Sequence, residues 1–477
     1  MMNARTRLRQ MLCIAAPLLL GACAVGKPPV KVEAQAPAAW QAASPHNASL
    51  TDLNRWWQNQ GDPLLVELIG AAQAASPTVS AARSRIAQAR AQSVAAGAAL
   101  LPTLDAAASV SRASQQSTLP LGTTSQAAFQ TAWEIDLFGG RRADRDAAGE
   151  RLLGAAAGWH EARVSVAAET ANQYYALRNC GALLAVAEQD ATSRNDTSRL
   201  TQLTTEAGFQ SPANAALARA SAAEGSSRVT QQRAQCDLDI KALVALTALP
   251  EQQLRQRVLA TTAVTAAPID ISAVPAQVLA QRPDVFNAER LVAAASHDVG
   301  SAQADRYPRL TLQGNIGVAN FRSNGENTQL DAWTIGPLSL SLPIFDGGRR
   351  VANVEAARAR YDDAVVAYRA TARQAVREVE EALVNLQSAA RRSGDAQTAL
   401  EGYRYSFRAT EDLYKNGLAS LLQLEDARRT RLNAEITLVN LERERNAAWI
   451  ALYRAAGGGW TQAANSAIAA NRAGTLQ

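Results

Sequence analysis

The sequence predicts a mainly α-helical, internally duplicated chain that also carries four membrane-type β-strands. The duplication is the first observation behind this. Leu101-Pro102-Thr103-Leu104 recurs 206 residues on as Tyr307-Pro308-Arg309-Leu310. Phe138-Gly139-Gly140-Arg141-Arg142 recurs as Phe345-Asp346-Gly347-Gly348-Arg349-Arg350, with Gly-Gly-Arg-Arg repeating at 208. Gly208-Phe209-Gln210-Ser211 recurs at 209 as Gly417-Leu418-Ala419-Ser420. Gly, Pro and Arg landmarks that keep order and spacing make each half one structural unit. The second observation is period-two alternation in four short segments. The third is a pair of long helical runs, each broken only at a glycine.

The chain opens on Arg5, Arg7 and Arg9, then the apolar stretch Met11 to Leu20. That is a signal-peptide pattern, too short for a spanning helix. Leu20-Gly21-Ala22-Cys23 resembles a lipobox, in which Cys23 is lipidated and becomes the first mature residue; Ala24 after it favours the outer membrane. Residues 1–22 are therefore read as a lipoprotein signal peptide. Residues 23–50, with Pro28, Pro29, Pro37 and Pro45, are read as an extended tether. The net charge is +5, of which the leader supplies three. So little basicity is left that no nucleic-acid partner is inferred. No mature segment holds 18 consecutive apolar residues, so any membrane crossing must use strands.

Repeat 1 is placed at 51–265 and repeat 2 at 266–460, with a tail at 461–477. Asp62-Pro63 opens a helical stretch that breaks at Pro77 and ends before Pro102. Leu104, Ala106, Ala108 and Val110 then alternate with Asp105, Ala107, Ser109 and Ser111; Phe129, Trp133, Ile135 and Leu137 alternate with Gln130, Glu134 and Asp136. In repeat 2, Leu310, Leu312, Ile316 and Val318 alternate with Thr311, Gln313 and Asn315, and Leu338, Leu340 and Leu342 with Ser339 and Ser341. Runs of about 9–11 residues suit tilted membrane strands. Polar loops are expected at 111–125 and 320–331. Each Gly-Gly-Arg-Arg then opens a long helix. From Val354 the apolar positions Tyr361, Val365, Tyr368, Ala372, Ala375, Val379, Leu383 and Leu386 follow coiled-coil spacing. The arms turn at Gly208 and Gly417. Four strands cannot close a barrel, and open edges in lipid leave backbone groups unpaired. Strands from several chains must therefore join, and a pore wide enough to conduct points to three or more copies.

Taken together, the lipobox, Trp56-Trp57 with Gly61-Asp62-Pro63, Arg282-Pro283-Asp284-Val285, Tyr307-Pro308-Arg309-Leu310, Pro343-Ile344-Phe345-Asp346-Gly347-Gly348, Arg377-Glu378-Val379-Glu380-Glu381-Ala382-Leu383 and Gly457-Gly458-Gly459-Trp460 resemble the lipoprotein (NodT) branch of the TolC-type outer-membrane efflux factors. The resemblance runs from Cys23 to Trp460. It implies a homotrimer in the Gram-negative outer membrane. Four strands per chain would form a 12-stranded β-barrel, continued by a long periplasmic α-helical barrel. It also implies coupling to a periplasmic adaptor and an inner-membrane pump, and a role as the exit duct of a tripartite efflux system. A polypeptide secretion duct and a lipid-anchored coiled-coil scaffold without a pore are the alternatives.

The resemblance also assigns site residues. Two acidic positions ring the pore at the tip of the last hairpin in the family. The second falls on Asp426; the first is Gln423, which leaves a single ring, and Asp426 could instead pair with Arg428 or Arg429. Tyr414 matches a position that helps hold the closed gate. Its charged partner position is Ala419, which leaves Arg428 or Arg431 as substitutes. Gly208, Ser211, Gly417, Leu418 and Ser420 match the grooves that receive the adaptor. Independently of the resemblance, Cys180 and Cys236 each lie 28 residues from Gly208. Equal distances on antiparallel arms put them side by side, and a disulfide is expected in an oxidising compartment. No enzyme activity, no metal site and no cofactor other than the Cys23 lipid are expected. His46, His160 and His297 lack ligand spacing, Gly-Gly-Arg-Arg is not a phosphate loop, and the Glu380-Glu381 pair reads as a solvated helix face.

Overall fold

The computed structural model describes residues 26–34, 36–42, 53–114, 121–260, 275–463 and 465–466. The predicted leader, Cys23 and His46 lie outside them. Repeat 1 contributes α1 (Pro63–Ala75), α2 (Pro77–Ala98), β1 (Thr103–Ala113), β2 (Gly122–Ile135), α3 (Gly140–Glu206), α4 (Pro212–Thr247) and α5 (Glu251–Ala260). Repeat 2 contributes α6 (Pro283–Ala304), β3 (Arg309–Ser323), β4 (Glu326–Ser341), α7 (Arg349–Lys415) and α8 (Leu421–Ala455). The duplication is visible in the lengths. Helices α2 and α6 both have 22 residues, and α3 and α7 both have 67. Among the described residues no single helix is long and apolar enough to cross a membrane.

Local chemistry sets the boundaries. Asp62 accepts the amides of Leu64 and Leu65 at 3.1 and 3.2 Å, and Pro63 follows where no amide is needed. The Gly-Gly-Arg-Arg landmark opens the long helix in both repeats, with the acid placed differently before it. Gly139 and Gly348 take left-handed conformations (φ +78° and +89°), which a residue with a Cβ resists. That turn lets the preceding acid cap the helix. Asp136 accepts the Arg141 and Arg142 amides at 3.2 and 2.9 Å, and Asp346 accepts those of Gly348 and Arg350 at 3.1 and 3.2 Å. The strand-to-helix corner is therefore encoded by seven residues in repeat 1 and five in repeat 2.

The four strands form one antiparallel sheet in sequence order. The strands, at 11, 14, 15 and 16 residues, are longer than the 9–11 expected. The polar stretches read as loops are largely paired strand: Thr123, Thr124 and Ser125 face Arg112, Ser111 and Val110. β3 and β4 are joined through Asn324-Gly325 alone, both at positive φ. Polarity misled here because these segments alternate little, while the ladder needs only backbone groups. The helices stack below the sheet. α6 sits between α3 and α7, and a central core joins α1, α3, α4, α7 and α8 through Leu65, Leu68, Leu243, Leu383 and Ile450. Trp56 stacks on Tyr453 at 4.9 Å.

The N-terminal segment is extended, but it is not a free tether. Its described residues strap along α6 and α7. Lys27 Nζ donates to His297 Nδ1 at 3.0 Å, Ser296 Oγ to the Pro28 carbonyl at 2.5 Å, and Tyr361 Oη to the Pro29 carbonyl at 2.9 Å. Val32, Ala34 and Ala36 join the α6/α7 core. The Gln41 and Ala42 amides donate to the Glu380 carboxylate at 2.6 and 2.8 Å. Glu380 is thus an acceptor for the strap rather than a merely solvated acid. The motif residue Arg282 is likewise structural. It is buried, and it bonds Asp284 at 2.6 Å, Glu378 at 2.8 Å and the Ala455 carbonyl at 2.9 Å.

Burial holds the His297 imidazole below the ordinary His pKa, and Lys27 pushes the same way against Asp146, Glu150 and Asp298. Its stabilising contact is therefore complete above the ordinary value near 6.5 and is lost as pH falls below it. We expect proteolysis within the strap to accelerate as pH drops below about 6, and His297→Gln to flatten that dependence; an equally steep profile in the variant would exclude the contact as its cause.

Candidate functional site: the strand sheet and the hairpin tips

The register places chemistry on two faces of the sheet. Asp105, Gln130, Asn315 and Thr334 are direct neighbours across the four strands and form one polar row. One residue along, Ala106, Phe129, Ile316 and Trp333 form an apolar row on the other face. Phe129, Ile316 and Trp333 stay exposed at 55%, 61% and 71%, as lipid-facing groups must in an isolated chain. Along β3 the apolar face runs from Leu310 to Val318. Nine tilted residues span roughly 23 Å, close to the apolar band of an outer-membrane barrel.

A bulge in β4 keeps this face continuous. Leu338 pairs with Leu312 and Ile335 with Gly314, so Gly336 and Pro337 together oppose Gln313. The extra residue reverses the strand's parity. Odd-numbered Trp333 and Ile335 therefore share a face with even-numbered Leu338 and Leu340. Pro337, which has no amide to donate, sits where the ladder is already interrupted.

At the far end the two helical hairpins close identically. The Phe209 amide donates to the Thr204 carbonyl and the Leu418 amide to the Leu413 carbonyl, both at 2.8 Å, around Gly208 (φ +80°) and Gly417 (φ +73°). Ser211 and Ser420 cap the returning helices, accepting the amides of Asn214 and Gln423 at 3.2 Å. Gln423 completes a capping box, its Oε1 accepting the Ser420 amide at 2.8 Å. Gln423 thus has a local structural job where the family pattern has an acid. Leu418 is 75% exposed and its counterpart Phe209 82%. Phe209 was not singled out in the sequence, although the repeat alignment pairs it with Leu418.

Asp426 is exposed and paired with Arg429 at 2.5 Å. Tyr414 is buried among Phe407, Leu421, Leu424 and Ala218, and its hydroxyl shares a 2.7 Å hydrogen bond with Thr201 of α3. Arg428 and Arg431 instead stack on Phe407, at 5.7 and 4.1 Å from the ring centre, and belong to a buried ionic cluster that the sequence did not reveal. Asp190 of α3 accepts from Arg194 at 2.8 Å and Arg228 at 3.2 Å, with Arg431 at 3.8 Å. Glu425 of α8 receives Arg194 at 2.8 Å, Ser221 at 2.9 Å and Arg428. Arg428 also donates to Thr197 at 2.8 Å. Burial pushes its guanidinium below the ordinary Arg value, Arg194 and Arg431 act in the same direction, and Glu425 and Asp190 oppose them. The cluster bolts the first hairpin to the returning helix of the second. Its only local sequence signals are the Asp190/Arg194 and Glu425/Arg428 spacings, and these are common on solvated helices.

Higher in the first hairpin, Cys180 and Cys236 are joined by a disulfide, with Cα atoms 5.4 Å apart. No group of His, Cys, Asp and Glu suited to a metal occurs among the described residues.

An open four-strand sheet carrying two long helical hairpins is one segment of a larger barrel. A family model described as outer membrane efflux protein matches residues 68–249 and again 274–458. The chain belongs to the outer membrane efflux protein family. It is 29% identical to the pyoverdine export outer membrane protein OpmQ of Pseudomonas aeruginosa, over 95% of this chain and 97% of that protein. It is 26% identical to nodulation protein T of Rhizobium leguminosarum bv. viciae, over 88% of each. The solved outer-membrane channel OprN superposes with a TM-score of 0.82 at 25% identity, covering 91% of this chain and 99% of that one. Efflux proteins of this family are trimeric outer-membrane channels, and this member is an efflux exit duct whose sheet is one third of a 12-stranded barrel.

Two measurements test this geometry. Intact protein denatured without reductant should show no free thiol at Cys180 or Cys236 and two after reduction; alkylation of both before reduction would refute the bond. Asp190→Ala should cost about 3–5 kcal/mol by leaving buried arginines uncompensated, read as faster hydrogen exchange around Arg194. Arg228→Ala, at a 40% exposed side chain, should cost under about 1 kcal/mol.

Proposed function

We propose that this duct passively exports small molecules handed to it by an inner-membrane pump through a periplasmic adaptor. The carrying observation is the two-faced sheet: an Asp105-Gln130-Asn315-Thr334 row suited to a wet lumen behind a row suited to lipid. Cys23 carries the lipid anchor. It lies four residues before Lys27, so the chain reaches at most roughly 14 Å from the docked strap. Lys27 itself lies beside Gly300, near the end of α6 that leads into β3, which supports an anchor at the membrane end. Small-molecule cargo is supported by OpmQ, whose name records export of pyoverdine.

The hairpin tips form the periplasmic gate and the adaptor contact. Gly208, Ser211, Gly417, Leu418 and Ser420 supply the docking surface, with Phe209 added by the repeat. Its exposed apolar side chains on tight, capped turns suit the grooves of a helical partner. Asp426 from three chains makes one acidic ring, and its pairing with Arg429 weakens the ring's field. Tyr414 holds the second hairpin to the first through Thr201 rather than through a charged partner, and Gln423 braces the cap of α8.

Purified protein in a planar bilayer should conduct weakly with a preference for cations. Asp426→Ala should raise the current and reduce that preference. No current from either form would overturn the duct reading in favour of a pore-less scaffold, while unchanged selectivity in the variant would remove Asp426 from the gate.

A further inference from the structure

The polar row on the lumen face holds a single charge, and the sheet register shows which residues could oppose it. Odd positions of β1 and β3 and even positions of β2 share the face of Asp105. So do even positions of β4 before its bulge and odd positions after it. The charged strand residues on this face are Asp105, Glu134, Arg309 and Glu326. Glu134 is neutralised by Arg141 at 3.1 Å and Arg309 by Asp305 at 2.6 Å. Glu326 adjoins the β3–β4 turn, at the outer lip. Arg112, Arg322 and Asp331 fall on the opposite, lipid-side face. Among the described residues, Asp105 is therefore the unpaired charge of the lumen face between that lip and the helices.

Its surroundings keep that charge in play. Asp105 is exposed, and its neighbours on the same face, Thr103, Ala107, Gln130 and Ala132, are uncharged. Beside it, at the β4 bulge, lies a recess of about 670 Å³ lined by Gln130, Gln313, Asn315, Thr334 and Pro337. Amide and hydroxyl oxygens next to one carboxylate suit a hydrated cation or a protonated amine. The acid is not duplicated, because Thr311 stands 206 residues on. Three copies therefore carry three such charges rather than six. At the tip, by contrast, Asp426 is paired with Arg429 at 2.5 Å.

We propose that Asp105 gives the barrel lumen a preference for cationic solutes, as a charge filter separate from the tip. The filter rests on the reading of this chain as an exit duct with a wet lumen behind the apolar row. Twelve strands about 4.8 Å apart and tilted by about 40° close a wall roughly 24 Å across, which puts the three carboxylates about 16 Å from one another. That distance exceeds the Debye length of about 10 Å in 0.1 M salt but falls well inside the 30 Å of 0.01 M. The three fields therefore overlap along the axis in dilute salt, where the low-dielectric wall concentrates them.

Reversal potentials of the full-length protein in a planar bilayer, under a KCl gradient near about 0.01 M, read the filter directly. Asp105→Asn, which keeps the side chain's shape, should lower the permeability ratio of potassium over chloride by about two- to threefold. Asp105→Lys should turn the preference toward chloride. Both shifts should vanish in about 1 M KCl, where the Debye length is near 3 Å. In Asp426→Ala protein a potassium preference should persist, and adding Asp105→Asn should abolish it. Asp331→Asn removes a charge from the lipid-side face and should leave the ratio unchanged. If current flows and Asp105→Asn keeps the parent ratio, the filter is refuted and the duct stands. A shift with Asp331→Asn as large as with Asp105→Asn would overturn the assignment of the faces. No current from any form removes the duct, and the filter with it.

Discussion

Everything in this chain answers to the two bare edges of its sheet. β1 and β4 each present a row of backbone amides and carbonyls with no partner inside the chain. In water such an edge is tolerable; in lipid every unpaired group costs several kcal/mol, and only closure removes the cost. A chain with four strands of 11–16 residues cannot close alone. The need for more than one copy follows from this. Three copies supply twelve strands, and two repeats per copy give six similar units around one axis.

The helices inherit their places from the strands. Each strand pair ends in an acid and two glycines, and the acid caps the helix that follows. The direction in which a strand leaves the membrane therefore fixes the start of a 67-residue helix. Over that length small angular errors would grow, and the structure contains several cross-ties. Arg282 ties the start of repeat 2 to α7 and to the end of α8. The Asp190 cluster ties α3 to α8 nearer the tip. The strap runs along α6 and α7 to Glu380. These ties lie at different heights, so the hairpins are held along their length rather than at one collar.

What could be read from sequence were features encoded by neighbours in the chain. Strand periodicity, proline breaks, glycine turns and the paired spacing of Cys180 and Cys236 around Gly208 are all local or symmetric signals. The parity change at Gly336-Pro337 was present in the letters, but it became interpretable only once Leu338 and Ile335 had partners across the ladder. The polar stretches beside the strand tips read as loops because composition does not report backbone pairing. The strap and the Asp190 cluster were hidden for another reason. Their members are separated by tens to hundreds of residues, and an arginine four positions from an aspartate looks the same on a wet helix as in a buried knot. Gln423 shows the converse: where the resemblance expects an acid and the sequence left a single ring, the residue completes the capping box of α8.

The disulfide has a mechanical meaning beyond its place in the first hairpin. It prevents α3 and α4 from sliding past each other at Cys180 and Cys236, each 28 positions from the Gly208 turn. The second hairpin has no such weld. Under a lateral load at the tips, the arms of the first hairpin are held in register by a covalent bond, while α7 and α8 resist shear through noncovalent contacts such as Arg404–Glu435 at 3.0 Å. Six nearly equal units thus become three stiff staves alternating with three compliant ones.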